Sequence, residues 1–400
     1  MKLEFSGKSV LLLGNFDIIN LNAAGKRVTG AGKIFKELGY EPIFVSINKS
    51  VDNNVLNSLT LKNGFYTYAL KSSVSTLDWL RVKETYRNYV KVINQIGINN
   101  LKCIYIYGCP VISLAMHKII KFAKKYHIPV IGDAVDWIEH TSGGTVKNII
   151  KYFDVNYKQR YLYNKTDGMV VISSYLKKYY EGCGRKTFLL PPVSDFEPEA
   201  ISTEEKNVFR LVYAGIPFAG IPNIEKSLMK DRLDLIIGLV ACLNDKGVNT
   251  VLDIYGIDKD YYLTSVPEHT DLLKKNSDFL RFNGLIPNDE IKREIRKADA
   301  TVLMRDVTVV TQAGFPTKVA ESLCMGTPVI TNSTSDIAEF VKSGYNGVII
   351  DSDPQFAAEQ VIEHFISDGK KAEIKKNCME SSPFDYKNFV HGMKEFLDKI

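Results

Sequence analysis

Residues Phe315 to Ile350 read FPTKVAESLCMGTPVITNSTSDIAEFVKSGYNGVII, and their pattern indicates the fold class. Pro316 suits the first turn of a helix, and Gly326 suits the end of that helix. A short apolar run, Pro328–Thr331, follows, and a second apolar run ends the stretch. Helices that alternate with short buried strands are typical of parallel sheets. The stretch therefore predicts an α/β fold.

The same alternation extends in both directions along the chain, with about six strands on each side of one acidic segment. We predict two Rossmann-like doubly wound domains that face each other, because parallel sheets bind ligands at the carboxyl ends of their strands and a cleft would join the two sites. The predicted parts are a first domain (1–194), a linker (195–208), a second domain (209–380) and a C-terminal helix (381–400). Whether that helix crosses back to the first domain is left open.

Composition excludes several classes of protein. Apolar residues make up 45% and charged residues 24% of the 400 positions, which excludes a disordered chain or a small disulfide scaffold. The net charge of +5 is too small to indicate nucleic acid. Six cysteines without a CxxC pair predict free thiols in a reducing compartment. The sequence also shows no signal peptide and no apolar span of about 18 residues, so we expect a cytoplasmic protein.

The helix predicted at Pro316 offers a binding site for phosphate. A Gly-Phe-Pro-Thr turn at a helix start directs backbone N–H groups outward, and such an end attracts anions. Glu321 lies one helical turn further along, on the same side as Lys318. Its carboxylate is placed to accept hydrogen bonds from ribose hydroxyls. An ordinary helix cap with an exposed Lys318–Glu321 pair is the alternative.

Motifs in the second half follow an order that is known from one enzyme family. They are LVYAGIP at Leu211–Pro217, Lys230-Asp231 at a helix start, LDIYG at Leu252–Gly256, FLRFNGLIP at Phe279–Pro287, ADATVLMRD at Ala298–Asp306, and AGFPTKVAESLCMGTPVI from Ala313. This half resembles glycosyltransferase family 4, retaining enzymes with the two-domain GT-B fold. The resemblance in the first half is weaker.

The resemblance implies that the second domain binds a nucleotide-sugar donor, UDP- or GDP-linked, and that the first binds a saccharide or lipid-linked saccharide acceptor. The residues it assigns to the donor are Gly215, Lys230, Leu285, Arg305, Gly314, Phe315, Pro316, Thr317, Lys318 and Glu321. The family pairs the carboxylate at Glu321 with an earlier glutamate, which here is Ala313. This departure leaves open which sugar is transferred.

Transfer of a sugar from such a donor requires cations, because negative charge grows on the leaving diphosphate. One preorganised contact to that charge contributes about 3–4 kcal/mol. We assign this role to Lys230 first, and also to Arg305 and Lys318. Two alternatives remain: Lys226 in place of Lys230, and a salt bridge between Arg305 and Asp306 or another neighbour.

Acceptor-side candidates lie in the first half. Gly25, Gly30 and Gly32 predict a glycine turn beside the acceptor, with Lys26 and Arg27 near a phosphate; a plain tight turn is the alternative. Asp133 follows a predicted strand and is the candidate for orienting or deprotonating the acceptor hydroxyl. Asp136 and His140 are the alternatives. Retaining enzymes of this family lack a clear nucleophile, and we assign none.

No metal or cofactor is expected. The two DxD triplets, Asp258–Asp260 and Asp351–Asp353, lie in a loop and at a helix start, where Asp353 is typical of an N-cap. The six histidines show no ligand spacing. Lysine cations would replace a metal at the diphosphate.

A basic amphipathic stretch, Val111–Tyr126, predicts peripheral contact with an anionic membrane at the inner face. An ordinary helix that covers the sheet and exposes its lysines is the alternative. The family resemblance implies a retaining glycosyltransferase of cell-surface polysaccharide biosynthesis. A non-catalytic sugar-nucleotide-binding subunit, a non-hydrolysing epimerase and a nicotinamide oxidoreductase are the competing hypotheses.

Overall fold

The structure is a computed structural model. It describes residues 8–19, 21–48, 55–71, 82–108, 113–137, 146–199, 207–218, 226 and 229–400. The chain forms two compact units, one from Met1–Val193 with Tyr386–Ile400 and one from Ser194–Asp385.

The first unit is built on an eight-stranded sheet with the order β3-β4-β2-β1-β5-β6-β7-β8. Its strands are β1 (Ser9–Gly14), β2 (Glu41–Asn48), β3 (Val55–Lys62), β4 (Phe65–Lys71), β5 (Leu101–Tyr107), β6 (Val130–Ala134), β7 (Gly168–Val171) and β8 (Thr187–Leu189). Its first five helices are α1 (Ala23–Glu37), α2 (Val82–Ile96), α3 (Ser113–Lys125), α4 (Val146–Tyr157) and α5 (Ser174–Gly182). Neighbouring strands are parallel except β3 and β4, which form an antiparallel hairpin.

The core of the first unit lies between β1 and α1. Every residue of β1 is buried, as expected for a central strand covered on both faces. Helix α1 presents Val28, Ala31 and Phe35 to this core at helical spacing. Its glycines lie inside the helix, so the prediction of a glycine turn at Gly25–Gly32 was wrong. They allow close packing instead, because a methyl group on Gly32 would lie 2.7 Å from the ring of Phe44.

The second unit is built on a six-stranded parallel sheet with the order β11-β10-β9-β12-β13-β14. Its strands are β9 (Phe209–Ala214), β10 (Thr250–Tyr255), β11 (Leu280–Gly284), β12 (Ala300–Leu303), β13 (Val329–Asn332) and β14 (Gly347–Ile350). Its helices are α6 (Leu233–Asp245), α7 (Lys259–Leu263), α8 (Thr270–Lys275), α9 (Asn288–Lys297), α10 (Val309–Ala313), α11 (Thr317–Cys324), α12 (Ile337–Phe340), α13 (Pro354–Val361) and α14 (Lys370–Glu380).

Strand order reverses beside β9, which pairs with β10 on one side and β12 on the other. In open parallel sheets, ligands bind outside the carboxyl ends of the strands at such a switch point. The loops at this edge are tied together, since Gly215 N donates to Tyr255 O at 2.9 Å and Gly256 N donates to Gly284 O at 2.7 Å. Gly256 has a φ of +97°, and a methyl group there would lie 2.7 Å from Gly215 O. The backbone at the switch point is therefore tightly packed.

The segments next to the unit boundaries differ slightly from the predicted ones. Glu197 N donates to Cys324 O at 2.9 Å, so the start of the predicted linker packs on the second unit. Residues 200–206 of that linker lie outside the described residues. The last helix, α15 (Val390–Leu397), belongs to the first unit, where Met393 and Phe396 enter the core. Its partner Gly168 leaves room for the ring of Phe396.

The predicted α/β class with two parallel sheets is confirmed. Among the described helices, none combines the length and the apolar character that are needed to span a membrane.

Candidate functional site

A buried carboxylate organises the switch point of the second unit. Asp231 has a fully buried side chain and lies just before α6. Its Oδ1 accepts a hydrogen bond from Arg305 Nε at 2.9 Å, and its Oδ2 accepts one from the hydroxyl of Tyr213 at 3.0 Å. The ammonium of Lys318 donates to the same Oδ2. We call these four residues the Asp231 cluster.

Three separate elements bring the cluster together. Tyr213 is in β9, Arg305 follows β12, and Lys318 is in the first turn of α11. The backbone on both sides of Arg305 is fixed by Asn332 at the end of β13, whose side chain accepts from Arg305 N at 2.9 Å and donates to Arg305 O at 2.7 Å. The cluster therefore lies at the carboxyl ends of three adjacent strands.

The electrostatics of the cluster favour an ionised Asp231. Burial alone would raise the pKa of this carboxyl, but Lys318 and Arg305 outweigh burial and lower the pKa to about 2. Burial lowers the pKa of Lys318, and the charge on Asp231 offsets part of that effect. One negative charge thus faces two positive charges, and the side chain of Lys318 remains 30% exposed. The cluster presents a net positive charge to an incoming anion.

Helix α11 starts beside this charge. Pro316 occupies its N-cap position and makes no side-chain capping hydrogen bond. The first N–H groups of such a helix have no partner within the helix, so they suit an anion. Gly314 precedes the tip in an extended conformation. The ring of Phe315 packs against the rings of Phe340 and Phe384, at centroid distances of 5.7 and 5.5 Å.

Lys230, the first candidate for contacting the leaving diphosphate, is exposed and directly precedes Asp231. Its backbone N–H donates to Pro217 O at 2.8 Å, which fixes the segment next to β9. Lys230 lies near enough to Lys318 for its charge to lower the pKa of Lys318 further. The rival, Lys226, forms an ion pair with Glu268 instead.

The remaining donor residues occupy different surroundings. A methyl group on Gly215 would overlap the ammonium of Lys318, so this glycine makes room for the lysine. Glu321 and Thr317 are partly buried on α11. Leu285 is 80% exposed in the loop after β11. Ala313, which stands in place of the family glutamate, is fully buried at the end of α10.

The predicted acceptor-side residues in the first unit form a closed arrangement. Arg27 on α1 donates to both oxygens of Asp133 at the end of β6, at 2.9 and 3.2 Å. Its other nitrogen donates to Leu190 O and Pro191 O at 2.5 and 2.8 Å. The Asp133 side chain is 0% exposed, so this geometry favours a structural pair over an acid that reaches an acceptor.

The other acceptor-side candidates of the first unit have different surroundings. Gly25 is buried in the first turn of α1, where its N–H donates to the side chain of Asn22 at 2.7 Å. Lys26 is partly buried and Asp136 is exposed. His140 lies outside the described residues.

Among the described residues, no group of three or more His, Cys, Asp or Glu side chains is arranged to hold a metal ion. Asp353 caps α13 and accepts from Gln355 N and Phe356 N at 2.9 and 3.2 Å, which confirms the predicted N-cap. Asp258 holds the same position at α7 without a side-chain capping bond.

The predicted amphipathic stretch forms α3, and its residues 111 and 112 lie outside the described residues. The apolar side of α3 is buried in the first unit, including Ala115, Met116 and Ile119. Its lysines at 121, 124 and 125 are exposed. The neighbouring helix α4 exposes Ile149 by 50% and Phe153 by 66%.

Asp231 and Tyr213 were not identified as site residues from the sequence. In the sequence motifs, Asp231 appears only as the neighbour of Lys230, and Tyr213 only as part of a predicted strand. An acidic residue directly beside a predicted phosphate-binding lysine was the available signal, because an unpaired carboxylate there would repel the ligand.

Comparison with known proteins gives one family match, which falls on the second unit. Residues 226–380 match the sequence model of the family described as Glycosyl transferases group 1. The putative colanic acid biosynthesis glycosyltransferase WcaL of Salmonella typhimurium is 24% identical over 248 residues, which cover 60% of this chain and 57% of WcaL. The chain thus matches little more than half the length of this relative.

Solved structures resemble nearly the whole chain. HepE from Anabaena, in complex with UDP and glucose, has a TM-score of 0.60 at 14% identity and covers 98% of this chain and 100% of HepE. The catalytic domain of starch synthase IV from Arabidopsis thaliana, bound to ADP and acarbose, has a TM-score of 0.65 at 11% identity and covers 98% and 99%. Both units therefore belong to the GT-B type of α/β fold, as predicted.

Proposed function

We propose that this protein is a retaining glycosyltransferase that moves a sugar from a UDP- or GDP-linked donor to a saccharide or lipid-linked saccharide acceptor. The observation that carries the proposal is the Asp231 cluster beside the tip of α11. A net positive charge, an exposed Lys230 and an uncapped helix start meet at the switch point of a parallel sheet. This combination is suited to a diphosphate.

The chemistry follows from where charge develops. When the bond between the anomeric carbon and the donor phosphate breaks, the electron pair goes to the phosphate oxygen. Lys230, Lys318 and the N–H groups of Thr317 and Lys318 would stabilise that charge, since they are in place before the reaction. Glu321, one turn along α11, would accept hydrogen bonds from the ribose hydroxyls. No bound metal is needed in this scheme.

The acceptor attacks on the face that the diphosphate leaves, and the leaving phosphate takes the acceptor's proton. This course needs no enzyme nucleophile and no carboxylate base. It agrees with the burial of Asp133 against Arg27, which leaves no carboxylate oxygen directed at an acceptor. Asp136, exposed after β6, is the better candidate to orient the acceptor.

The relatives support a role in cell-surface polysaccharide biosynthesis. WcaL is described as a putative colanic acid biosynthesis glycosyltransferase, and HepE was crystallised with UDP and glucose. These names suggest a UDP-hexose as the first donor to test. They also favour an acceptor that belongs to a growing glycan.

A lipid-linked acceptor would bring the protein to the cytoplasmic face of a membrane. Because the apolar side of α3 is buried, contact would use its lysines at 121, 124 and 125, with Ile149 and Phe153 of α4. Each lysine near an anionic surface adds about 1 kcal/mol of attraction. Sedimentation with vesicles of phosphatidylglycerol, against vesicles of phosphatidylcholine, measures this contact.

The test of the proposed function is the substitution Lys230→Ala. Nucleoside diphosphate release from a panel of UDP- and GDP-sugars, with lipid-linked saccharides as acceptors, should fall by about 10²–10³-fold. Lys226→Ala is the matched control, because Lys226 is committed to Glu268, and it should change the rate less than about threefold. Full activity of the Lys230→Ala variant would refute the assigned role, and binding of neither UDP nor GDP would refute the proposed function.

A non-catalytic sugar-nucleotide-binding subunit is the second candidate. Ala313 favours it, because the buried methyl group cannot hold a sugar hydroxyl where the family has a glutamate. Such a subunit would bind UDP or GDP through the same cations but would release no nucleoside diphosphate from any donor.

A further inference from the structure

We propose that Asp231 is a positioning residue that holds Lys318 and Arg305 together as one diphosphate-binding unit. This inference rests on the proposed function of the same site and assigns a role that the sequence resemblance did not. Asp231 itself would touch no substrate, since its side chain is 0% exposed and both oxygens are engaged by protein donors.

The need for such a residue follows from the nature of Lys318. A lysine side chain is flexible, and fixing it in one conformation costs rotamer entropy. Here the ammonium is held by Asp231 from one side and lies 4.5 Å from the centre of the Tyr213 ring on the other. Gly215 leaves space for the ammonium of Lys318, because the side chain of any larger residue would occupy that position. The charge is thus placed before a ligand arrives.

Arg305 needs the same carboxylate for a different reason. Only 9% of its side chain is exposed, and an unpaired buried cation is strongly unfavourable. Asn332 holds the backbone of Arg305, while Asp231 fixes its guanidinium through Nε. Asp231 therefore sets the direction of both cations at once.

The protonation of Lys318 provides a readout that a purely structural residue would not change. The charged or titratable groups that face it include Asp231, Arg305, Lys230 and Tyr213. The charge of Asp231 favours the protonated ammonium, and the ring of Tyr213 does so too, while Arg305 and Lys230 disfavour it. Removing the charge of Asp231 should therefore make Lys318 lose its proton at a lower pH.

The experiment compares Asp231→Asn with Asp234→Asn in the full-length protein. Asp234 is a matched control because it is also buried and lies in the first turn of α6, which Asp231 directly precedes. It pairs with Arg232 at 2.7 Å and is not among the described partners of Lys318 or Arg305. Titration calorimetry with UDP and with GDP gives the affinity. NMR of ¹³C-methylated lysines in the ligand-free protein gives the titration of Lys318, assigned through Lys318→Arg.

Asp231→Asn should weaken nucleoside diphosphate binding by about 10- to 100-fold, the range of a hydrogen bond to a charged group. The loss should grow as the pH rises, and the Lys318 titration should move to lower pH. Asp234→Asn should keep the nucleoside diphosphate affinity within about twofold of the wild type. It should leave the Lys318 titration unchanged. Combined with Lys318→Met, the Asp231→Asn change should cost less than it does alone, because the two residues act as one unit.

Each contrary result is informative. If the wild type binds UDP or GDP and Asp231→Asn binds equally well, the positioning role is wrong and the proposed function stands. If the wild type binds neither nucleotide, the proposed function fails, and the lysine titration still decides the positioning role. An unchanged Lys318 titration in Asp231→Asn overturns the inference in either case.

Discussion

Each unit buries an aspartate against arginine near the carboxyl edge of its sheet, but the two sites differ in balance. Asp133 and Arg27 pair one to one, with 0% and 4% of their side chains exposed. Asp231 instead serves Arg305 and Lys318, and Lys318 remains 30% exposed. A balanced pair has no charge left for a ligand, whereas the unbalanced cluster retains a positive charge that water and anions can reach. The comparison separates a structural ion pair from a binding site of similar composition.

The largest expected effect tests the first half of this comparison. Asp133→Ala leaves Arg27 buried without its carboxylate, and removal of one partner of a buried pair costs about 3–5 kcal/mol of unfolding free energy. The double variant Arg27→Met/Asp133→Leu should recover most of that loss, because an apolar pair of similar volume needs no desolvation of charge. Urea denaturation of the wild type and both variants measures their free energies of unfolding.

An Asp133→Ala variant as stable as the wild type would show that the pair is not structural. That result would return Asp133 to the role of an acid that faces the acceptor, as the sequence alone indicated.

These two sites also show which features of the molecule can be predicted from the sequence and which cannot. The α/β fold was predictable because buried strands such as SVLLLG and FRLVYA are short apolar runs between amphipathic helices. Lys230 and Lys318 could be named as candidates because the motifs that resemble the family contain them, and their role at the site stays a prediction. The partner of each charged residue was not, since Arg27 and Asp133 are 106 positions apart and Lys318 and Asp231 are 87 apart. Only the tertiary fold determines those pairs.

One element was missed although a local signal existed. Strands β3 and β4 form an antiparallel hairpin through Asn63 and Gly64, which both have positive φ angles. An Asn-Gly pair between two strands is typical of a tight hairpin turn. The polar residues within β3 weakened the apolar pattern that identified the other strands.

The second prediction uses acid to remove the charge at the centre of the Asp231 cluster. The pKa of Asp231 is about 2 in the folded protein against 3.8 for the ordinary carboxyl. A lowered folded-state pKa stabilises the protein above the unfolded pKa, and that stabilisation disappears as the pH falls from about 4 through about 2. It corresponds to roughly 2 kcal/mol.

The measurement compares the unfolding free energies of wild type and Asp231→Asn between pH 6 and pH 2.5. The advantage of the wild type should be constant down to about pH 5 and then shrink as the carboxyl becomes protonated. An advantage that persists unchanged to pH 2.5 would mean that the cluster does not depend on the charge of Asp231.

The smallest effect on stability is expected from a methyl group placed beside the Asp231 cluster, and a second methyl group placed beside Asp133 makes the comparison direct. In Gly215→Ala the new methyl would overlap the far end of Lys318, which can swing away, and would lie at ordinary contact distance, 3.4 Å, from the Tyr213 hydroxyl. The free energy of unfolding should therefore change by less than about 1 kcal/mol. The displaced ammonium should lower UDP or GDP affinity by about tenfold, equivalent to 1.4 kcal/mol.

In Gly132→Ala the methyl would lie 2.7 Å from Met169 Sδ and 2.8 Å from the Tyr163 ring, inside a packed core. That variant should lose about 1–3 kcal/mol of stability and keep its nucleotide affinity. If both variants lose stability equally and neither loses affinity, the two aspartate sites are equivalent, and the distinction between a closed pair and an open cluster is wrong.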